Sequence, residues 1–253
     1  MRTFPLAFIF ALPCSGCFLP SAAVQAGYSQ MALSGNAALS QPSGSLAGTS
    51  TQDVESALGL GGDQGNPYVR AELDIGSPVL TVSAMQFDEQ GRGTLSTQYG
   101  NLAGGTTVDS DLTFTNLKAS LAFEIGLGPV SVAPGIAVDV FDLDLLVGDT
   151  VGIATERIDI VAPVPLAFVR AEADLAIVGA VAELGYITVP DIGDVEGTFW
   201  DAELLVEVRP TPLLHLFAGY RHIHMDGEGS TDDREFAVDL DLSGWMIGGG
   251  VRF

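Results

Sequence analysis

Few residues of this chain are of the types that carry out chemistry, and two of them, His222 and His224, lie close together. They are separated by Ile223 and followed by Met225 and Asp226. Side chains two residues apart on a β-strand share a face, so the pair can hold a metal ion or form half of a hydrolytic site. Both chemistries need further partners. The alternative, histidines at the boundary between a strand and a loop, assigns no catalytic residue and no metal ligand, and it is the one we expect.

An acyl hydrolase would need a serine beside a histidine and a carboxylate. Ser230 lies near the histidines in an acidic stretch, but no nucleophile motif surrounds it. Both cysteines, Cys14 and Cys17, fall in the N-terminal segment that we predict is removed, so we expect neither thiol catalysis nor disulfides. We therefore expect no enzyme and no cofactor.

Three acidic clusters are the other groups with ligand chemistry. Carboxylate oxygens bind Ca²⁺ or Mg²⁺, but none of the clusters has the spacing of a calcium-binding loop. We expect them in long loops, either as a solvated acidic rim or as sites for divalent cations. The clusters are Asp142/Asp144/Asp149, Asp191/Asp194/Glu196 and Asp226/Glu228/Asp232/Asp233/Glu235.

The overall charge and hydropathy limit the class of protein. The 253 residues include 10 Lys and Arg against 32 Asp and Glu, a net charge of −22, which disfavours nucleic acid as a partner. Mean hydropathy is +0.35 with 17% charged residues, too apolar for a disordered chain. No charge-free run of about 20 residues follows the N-terminus, so the apolar residues must be dispersed by alternation.

The N-terminus has the features of an export signal. Arg2 precedes a short apolar core over residues 4–12, and Val24-Gln25-Ala26 is an acceptable cleavage site. We predict a signal peptide over residues 1–26, with a buried first strand or helix as the alternative. Residues 27–43 carry no charge and are predicted to be a flexible tail, which leaves residues 44–253 for the folded part.

From Tyr68 onward, apolar and polar residues alternate with the period of a β-strand. In residues 68–75, one face carries Val69 and Leu73 and the other carries Arg70 and Glu72. Residues 200–209 repeat the pattern, with Asp201, Glu203, Glu207 and Arg209 on the polar face. Residues 158–173 are ambiguous, because Pro163 and Pro165 weaken the case for a central strand.

Short and long connections alternate along the chain. Tight turns are predicted near residues 76–78, 126–129, 172–174 and 209–212, and longer ones at about 60–66, 91–107, 147–158, 190–196 and 226–235. This rhythm predicts a closed, antiparallel, up-and-down all-β barrel of ten strands, with eight as the alternative. The first strand should lie around residues 44–58, where a helical turn capped at Asp53 is equally compatible.

The polar face of the alternating strands carries charges of both signs at mid-strand. A lone buried charge costs several kcal/mol, so scarce basic residues placed opposite carboxylates indicate an interior filled with ion pairs and an apolar outside. Surface charges on a secreted soluble β protein are the alternative. The predicted lumen charges are Arg70, Glu72, Lys118, Glu124, Asp139, Arg170, Glu172, Glu183, Glu203, Arg209 and Arg221.

The last strand has a recognisable ending. Phe253 is preceded by Val251 two residues earlier and Gly248 five residues earlier, although Met246 stands where a polar residue is usual. In this the chain resembles Gram-negative outer-membrane β-barrels of the porin-like and OmpA-like kind. Gly219-Tyr220-Arg221 and the stretch over residues 53–60 also look like segments found in that family.

The resemblance implies a location in the outer membrane and contact with its lipids and lipopolysaccharide. It also implies recognition of Gly248, Val251 and Phe253 by the barrel-assembly machinery. Divalent cations at the acidic loops would then bridge to lipopolysaccharide.

We expect a non-enzymatic barrel with a charge-filled lumen, a structural or surface-binding role and at most a narrow solute path. The alternatives are a narrow passive pore for ions and small solutes, an outer-leaflet protease-like or lipase-like enzyme using His222, His224 and Asp226, and a secreted soluble β protein.

Overall fold

The computed structural model describes residues 20–42, 44–46, 51–192, 195–231 and 234–253. The apolar core of the predicted signal peptide lies outside these ranges. Ten long strands and two short segments, β2 and β6, make up the regular structure. The strands are β1 Ser21–Leu39, β2 Gln52–Asp53, β3 Gln64–Asp74, β4 Pro78–Thr94, β5 Thr107–Phe123, β6 Ile125–Gly126, β7 Val130–Asp149, β8 Thr155–Leu175, β9 Val178–Ile192, β10 Val195–Val208, β11 Leu214–Thr231 and β12 Arg234–Arg252.

Each long strand pairs antiparallel with the next along the chain, and β12 pairs with β1 to close the sheet. The closing seam runs without a register shift from Ala23↔Arg252 to Leu39↔Phe236. The prediction of a ten-stranded, up-and-down antiparallel barrel is therefore confirmed. Among the described residues, no helix is long and apolar enough to cross a membrane.

The first strand was predicted in the wrong place. Residues 27–39 are not a flexible tail but most of β1, which pairs with both β12 and β3. Its alternation is between small residues, so it carries little hydrophobic signal, and two paired neighbours supply the ladder that propensity does not. The predicted cleavage point after Ala26 falls inside this strand.

Residues 52–60 form the capped turn that was the alternative. Gln52 and Asp53 pair with Ala37 and Asn36 of β1. Asp53 Oδ1 then accepts hydrogen bonds from the Ser56 backbone N–H at 2.7 Å and from the Ser56 hydroxyl at 2.8 Å. A side-chain oxygen that binds the N–H three residues later is the usual helix cap.

Three of the four short turns lie where they were predicted, whereas the one expected at residues 172–174 follows Leu175, and two of the five long connections span only two residues each. β9 ends at Ile192 and β10 begins at Val195, while β11 ends at Thr231 and β12 begins at Arg234. Asp226 and Glu228 are therefore residues of β11, and Asp142 and Asp144 are residues of β7. These charges alternate with inward residues, so they lie on strand faces rather than in loops.

Candidate functional site

The outer face of the barrel is apolar over a broad band. Aliphatic side chains that alternate with buried ones are 37–67% exposed on this face. A contiguous exposed apolar surface of this extent marks contact with a membrane, and the secreted soluble protein considered from the sequence does not fit it. The band includes Val24, Val69, Leu80, Val82, Leu117, Val132, Ile136, Val138, Val169, Leu184, Leu204, Val206, Leu216, Ile247 and Val251.

Aromatic side chains border this band. Tyr186 is in register with Trp200, and Tyr220 with Trp245, so neighbouring strands carry aromatic residues at one level. We call the end of the barrel with the short turns the lower end and the opposite end the upper end. Five aromatic residues form what we call the upper girdle: Tyr28, Tyr186, Trp200, Tyr220 and Trp245. Phe123 and Phe253 are exposed at the rim of short turns. Aromatic girdles on both sides of an apolar band are typical of transmembrane barrels.

The lower half of the lumen is crossed by ion pairs. Arg70 of β3 reaches the opposite wall, where it donates hydrogen bonds to Glu183 of β9 and, at 2.7 Å, to Glu203 of β10. Tyr68 donates to the same Glu203 carboxylate at 3.1 Å. The Arg70 and Glu203 side chains are at most 2% exposed. These contacts join strands on opposite sides of the barrel.

Two further cations, Arg221 and Lys118, continue the network. Arg221 Nε donates to one oxygen of Asp201 at 3.0 Å and Arg221 Nη2 to the other at 2.9 Å. Lys118 Nζ donates to the same carboxylate at 2.8 Å and lies 3.5 Å from Glu183. Asn116 accepts from Arg221 at 2.7 Å and donates to Asp139. Paired charges with hydrogen bonds can stay ionised in the interior, where single ones could not.

Arg170 and Arg209 carry the pairing to the rim of short turns. Arg170 lies 2.7 Å from Glu72 and 2.6 Å from Glu172. Arg209 lies 2.7 Å from Asp174 and is less buried. The lower lumen is thus a continuous set of cations and carboxylates from β3 to β11, and we call it the charged layer.

The structure brings the eleven predicted lumen residues to the interior, with Glu124 at its lower mouth beside Glu72 and Glu172. Glu124 lies after the end of β5, at the rim, and takes part in none of the ion pairs among the described residues. It is less exposed than Phe123 and Ile125 on either side of it, so the period of two continues past the end of β5. Asp201, Asn116 and Tyr68 were missing from the predicted set. Asp201 and Tyr68 share the predicted polar faces, so alternation alone could have found them.

Above the charged layer the lumen is mainly apolar, and the buried carboxylates of Glu89 and Glu156 lie nearer its upper end. Stacked rings form part of this apolar layer, with centroids 6.3 Å apart for Phe114 and Phe141 and 5.8 Å apart for Phe141 and Phe199. A cavity of about 190 Å³ remains on the side of β7 to β12. Its wall includes Phe141, Leu143, Ile160, Ala162, Val164, Ile187, Val189, Phe199, Met225, Phe236, Val238 and Leu240.

The two histidines lie on the outer face, beside the upper girdle. His222 Nε2 and His224 Nδ1 are 2.8 Å and 2.9 Å from the same oxygen of Asp241 on β12. The Trp200 ring stacks on His222 at 4.5 Å between centroids. The carboxylate within hydrogen-bond distance of the two histidines is therefore that of Asp241 and not that of Asp226.

Ligand atoms of His224, Asp239 and Asp241 lie within 4.8 Å of one another, a set that can hold a metal ion. His215, in contrast, is buried in the lumen near the other rim. The sequence could not supply Asp241, because only the register of β11 with β12 brings it to the pair.

Outward carboxylates continue beyond the upper girdle on the strand ends. Hydrogen bonds from Arg157 lower the pKa of Asp144, and a hydrogen bond from Arg92 lowers that of Asp109. We call this surface the acidic collar. It comprises Asp88, Asp109, Asp111, Asp142, Asp144, Asp159, Asp226, Glu228, Asp239 and Asp241, with Arg92 and Arg157 among them.

The predicted assembly residues lie along the closing seam. Gly248 is in register with Gly27 of β1, and Val251 with Val24. A Cβ at Gly248 would overlap the backbone of Ala26 and Gly27 and the Phe217 ring, so the seam requires glycine there. Val251 and Phe253 are exposed on the outer face.

An apolar exterior, aromatic girdles and an ion-paired interior define a transmembrane β-barrel of the outer-membrane type, and so locate the protein in an outer membrane. No family model and no curated protein matches the chain.

Solved structures with a similar fold include that of the attachment invasion locus protein Ail of Yersinia pestis, in complex with the heparin analogue sucrose octasulfate. It has 12% identity and a TM-score of 0.43, with 93% of this chain and 100% of that chain covered. The outer membrane protease OmpT of Escherichia coli has 7% identity and a TM-score of 0.49, with 92% and 96% covered. The translocator domain of the autotransporter NalP of Neisseria meningitidis has 12% identity and a TM-score of 0.40, with 96% and 91% covered. These identities are too low to transfer any activity.

Proposed function

We propose that the protein is a non-enzymatic, closed outer-membrane barrel that acts through its surface and passes no more than a narrow stream of solute. The observation that carries the proposal is the charged layer. Arg70 connects opposite walls of the barrel, and buried carboxylates occupy the space around it. Barrels of eight to ten strands have interiors that side chains can fill.

Two independent layers close the lumen. The ion pairs hold their side chains in fixed positions, because every move leaves a buried charge without its partner. Above them Phe87 and Phe114 are at most 2% exposed, and hydrated ions do not cross such an apolar region readily. The charged layer therefore leaves no room for a wide water-filled path, and the apolar side chains above it oppose the passage of ions.

The acidic collar is the proposed binding surface. Carboxylates such as Asp142, Asp226 and Glu228 project outward just beyond the membrane band, at the level of lipid headgroups. Divalent cations bound there would bridge to the phosphates of lipopolysaccharide. Retention of lipopolysaccharide by the purified barrel should then need Mg²⁺ or Ca²⁺ and fall on addition of a chelator. Equal retention with and without chelator contradicts this role.

Planar-bilayer recording tests the closed lumen. The folded protein, checked by its shift on boiling in an SDS gel, should give no steady conductance steps above background. Stable unit steps would contradict the closed lumen and favour the narrow passive pore.

Removing one partner tests whether the charged layer holds the barrel together. Arg70→Ala leaves Glu183 and Glu203 short of a cation, and we expect a loss of about 3–5 kcal/mol in unfolding free energy. Arg92→Ala, which removes an arginine that is 68% exposed on the outer face, is the matched control and should change little. Equal stability of the two variants would mean that the layer does not support the fold.

Substitutions in the histidine cluster test the proposal that the protein is not an enzyme. His222→Ala and His224→Ala should leave the protein without any change in protease or lipase assays, because no activity is expected before substitution. An activity of the intact protein that either variant abolishes would establish the rim enzyme instead.

A further inference from the structure

The barrel wall is interrupted between β8 and β9. β8 pairs with β7 over its length, from Gly148↔Thr155 to Val130↔Ala173. Its pairing with β9 runs only from Ala167↔Tyr186 to Leu175↔Val178. Beyond Tyr186, β9 continues and pairs with β10. Within the described residues, the upper half of β8 thus has a partner on one side only.

Two prolines explain where the interruption falls. The Asp174 N–H donates to Pro129, on the side of β7. Because the β7–β8 register has no shift, backbone groups of even-numbered β8 residues face β7 and those of odd-numbered residues face β9. Pro163 and Pro165 are odd-numbered and have no N–H, so the edge that faces β9 lacks two donors. These are the residues that made this segment ambiguous in the sequence.

The apolar cavity adjoins this interruption. Ile160, Ala162 and Val164 of β8 line it from one bank, and Ile187 and Val189 of β9 from the other. The last residue of β9 that pairs with β8 is Tyr186, a member of the upper girdle. The unpaired edge therefore begins where the hydrocarbon of the membrane ends, the depth at which irregular backbone becomes tolerable.

We propose that the gap between β8 and β9 is a lateral access route to the cavity, and that the cavity binds a neutral hydrocarbon the size of one aromatic ring or a short alkyl chain. An engineered apolar cavity of about 150 Å³ stays dry and binds benzene. The cavity here, about 190 Å³, is lined almost wholly by aliphatic and aromatic side chains. Its polar edge consists of Thr198 and three acidic residues.

The charges at the edge narrow the ligand class. Glu196, Asp226 and Glu228 border the cavity, and no basic residue is among its described lining. An anionic headgroup would meet repulsion from these carboxylates, whereas a neutral molecule would not. Amphiphiles with a carboxylate should therefore bind less well than neutral ones with the same chain.

Equilibrium dialysis with radiolabelled octanol, in detergent micelles, tests the cavity. Ala162→Phe fills it, and Ala167→Phe adds the same ring to the outer face of the same strand. We expect octanol binding above the micelle background to fall at least tenfold in Ala162→Phe and to stay unchanged in Ala167→Phe. Octanoate should bind at least tenfold more weakly than octanol.

Binding by Ala162→Phe equal to that of the unaltered protein would overturn the proposal. If that variant fails the heat-modifiability check, Val189→Phe fills the cavity from the other bank and serves instead. Neither result depends on ion conductance, so the proposal of a closed lumen is tested separately by the bilayer recording.

A crosslink tests the route. With Cys14 and Cys17 replaced by serine, Pro165→Cys and Thr188→Cys place thiols on the two banks, outside the cavity. Joining them with a short bis-maleimide should slow octanol exchange from lipid vesicles at least fivefold and leave equilibrium occupancy unchanged. The single Pro165→Cys variant treated with the same reagent is the control. Unchanged exchange in the crosslinked protein would overturn lateral access.

Discussion

The two sides of the upper lumen are filled differently. On the side of β1 to β5, side chains from two connections are buried in the lumen, and a cavity of about 10 Å³ lies where Leu33 and Leu112 meet Leu143 and Leu240 of the other side. On the side of β7 to β12, the cavity holds about 190 Å³. Both sides are lined by alternating apolar side chains of long strands, so strand composition does not account for the difference.

The connections account for it. Residues 51–62 and 95–105 fold over the first side and bury Val54, Leu58, Leu60 and Leu95 in the lumen. Glu89 fixes the first of these connections by accepting from the N–H groups of Gly61 and Gly62. On the other side, only two residues separate β9 from β10, and only two separate β11 from β12. A barrel of this size is packed above its charged layer only where a connection is long enough to fold inward.

The largest expected contrast is between two phenylalanines. Phe87→Ala, on the packed side, should cost about 3–5 kcal/mol of unfolding free energy, because a new cavity opens in a filled region. Phe199→Ala should cost about 1–2 kcal/mol less, since its ring already borders empty space. Urea unfolding followed by tryptophan fluorescence measures both. Equal losses would mean that the two sides are packed alike.

A smaller contrast is expected between two inward glycines. A Cβ at Gly91 would overlap the backbone of Gly59, so Gly91→Ala should cost about 1–3 kcal/mol through overpacking. At Gly227 the nearest atom to such a Cβ is 3.7 Å away, so Gly227→Ala should stay within about 0.5 kcal/mol. The same unfolding measurement applies. A loss at Gly227 as large as that at Gly91 would contradict an open second side.

The smallest effect should come from the capped turn of the packed side. The backbone N–H of Ser56, followed by its hydroxyl, holds the pKa of Asp53 below the usual value. Because the folded pKa is depressed, the cap contributes above that usual value and is lost as pH falls through the lowered one. The Ser56 amide shift in NMR should titrate with that lowered midpoint. Asp53→Asn should keep the turn and remove the titration, whereas Asp53→Ala should loosen it; identical behaviour of the two variants would contradict the cap.

Much of the fold could be predicted from period and turn rhythm, since strands between an apolar medium and a polar lumen must alternate. The first strand could not, because β1 is built largely of Gly, Ala and Ser, whose side chains give no contrast between faces. The acidic stretch of β11 was predicted to be a loop because its many charges are typical of solvent-exposed, unpaired chain. Above the girdle the outer face meets water, so both charge and strand pairing persist there.

The candidate site was predictable as a set of residues but not as contacts. Alternation identifies Arg70 and Glu183 as inward, yet they are 113 positions apart, and only barrel closure determines that they meet. The gap beside β8 left a trace in the two prolines, but its location depends on which backbone groups face β9. No sequence feature indicates the cavity, because the connections, and not the strands around it, determine where empty space remains.

The seam between the first and last strands has a consequence for synthesis. Every rung of that seam joins residues near opposite ends of the chain, so a polypeptide interrupted before β12 exposes unsatisfied backbone on both β1 and its last completed strand. An open edge is a template for pairing with another chain, so truncated barrels should aggregate more readily than complete ones.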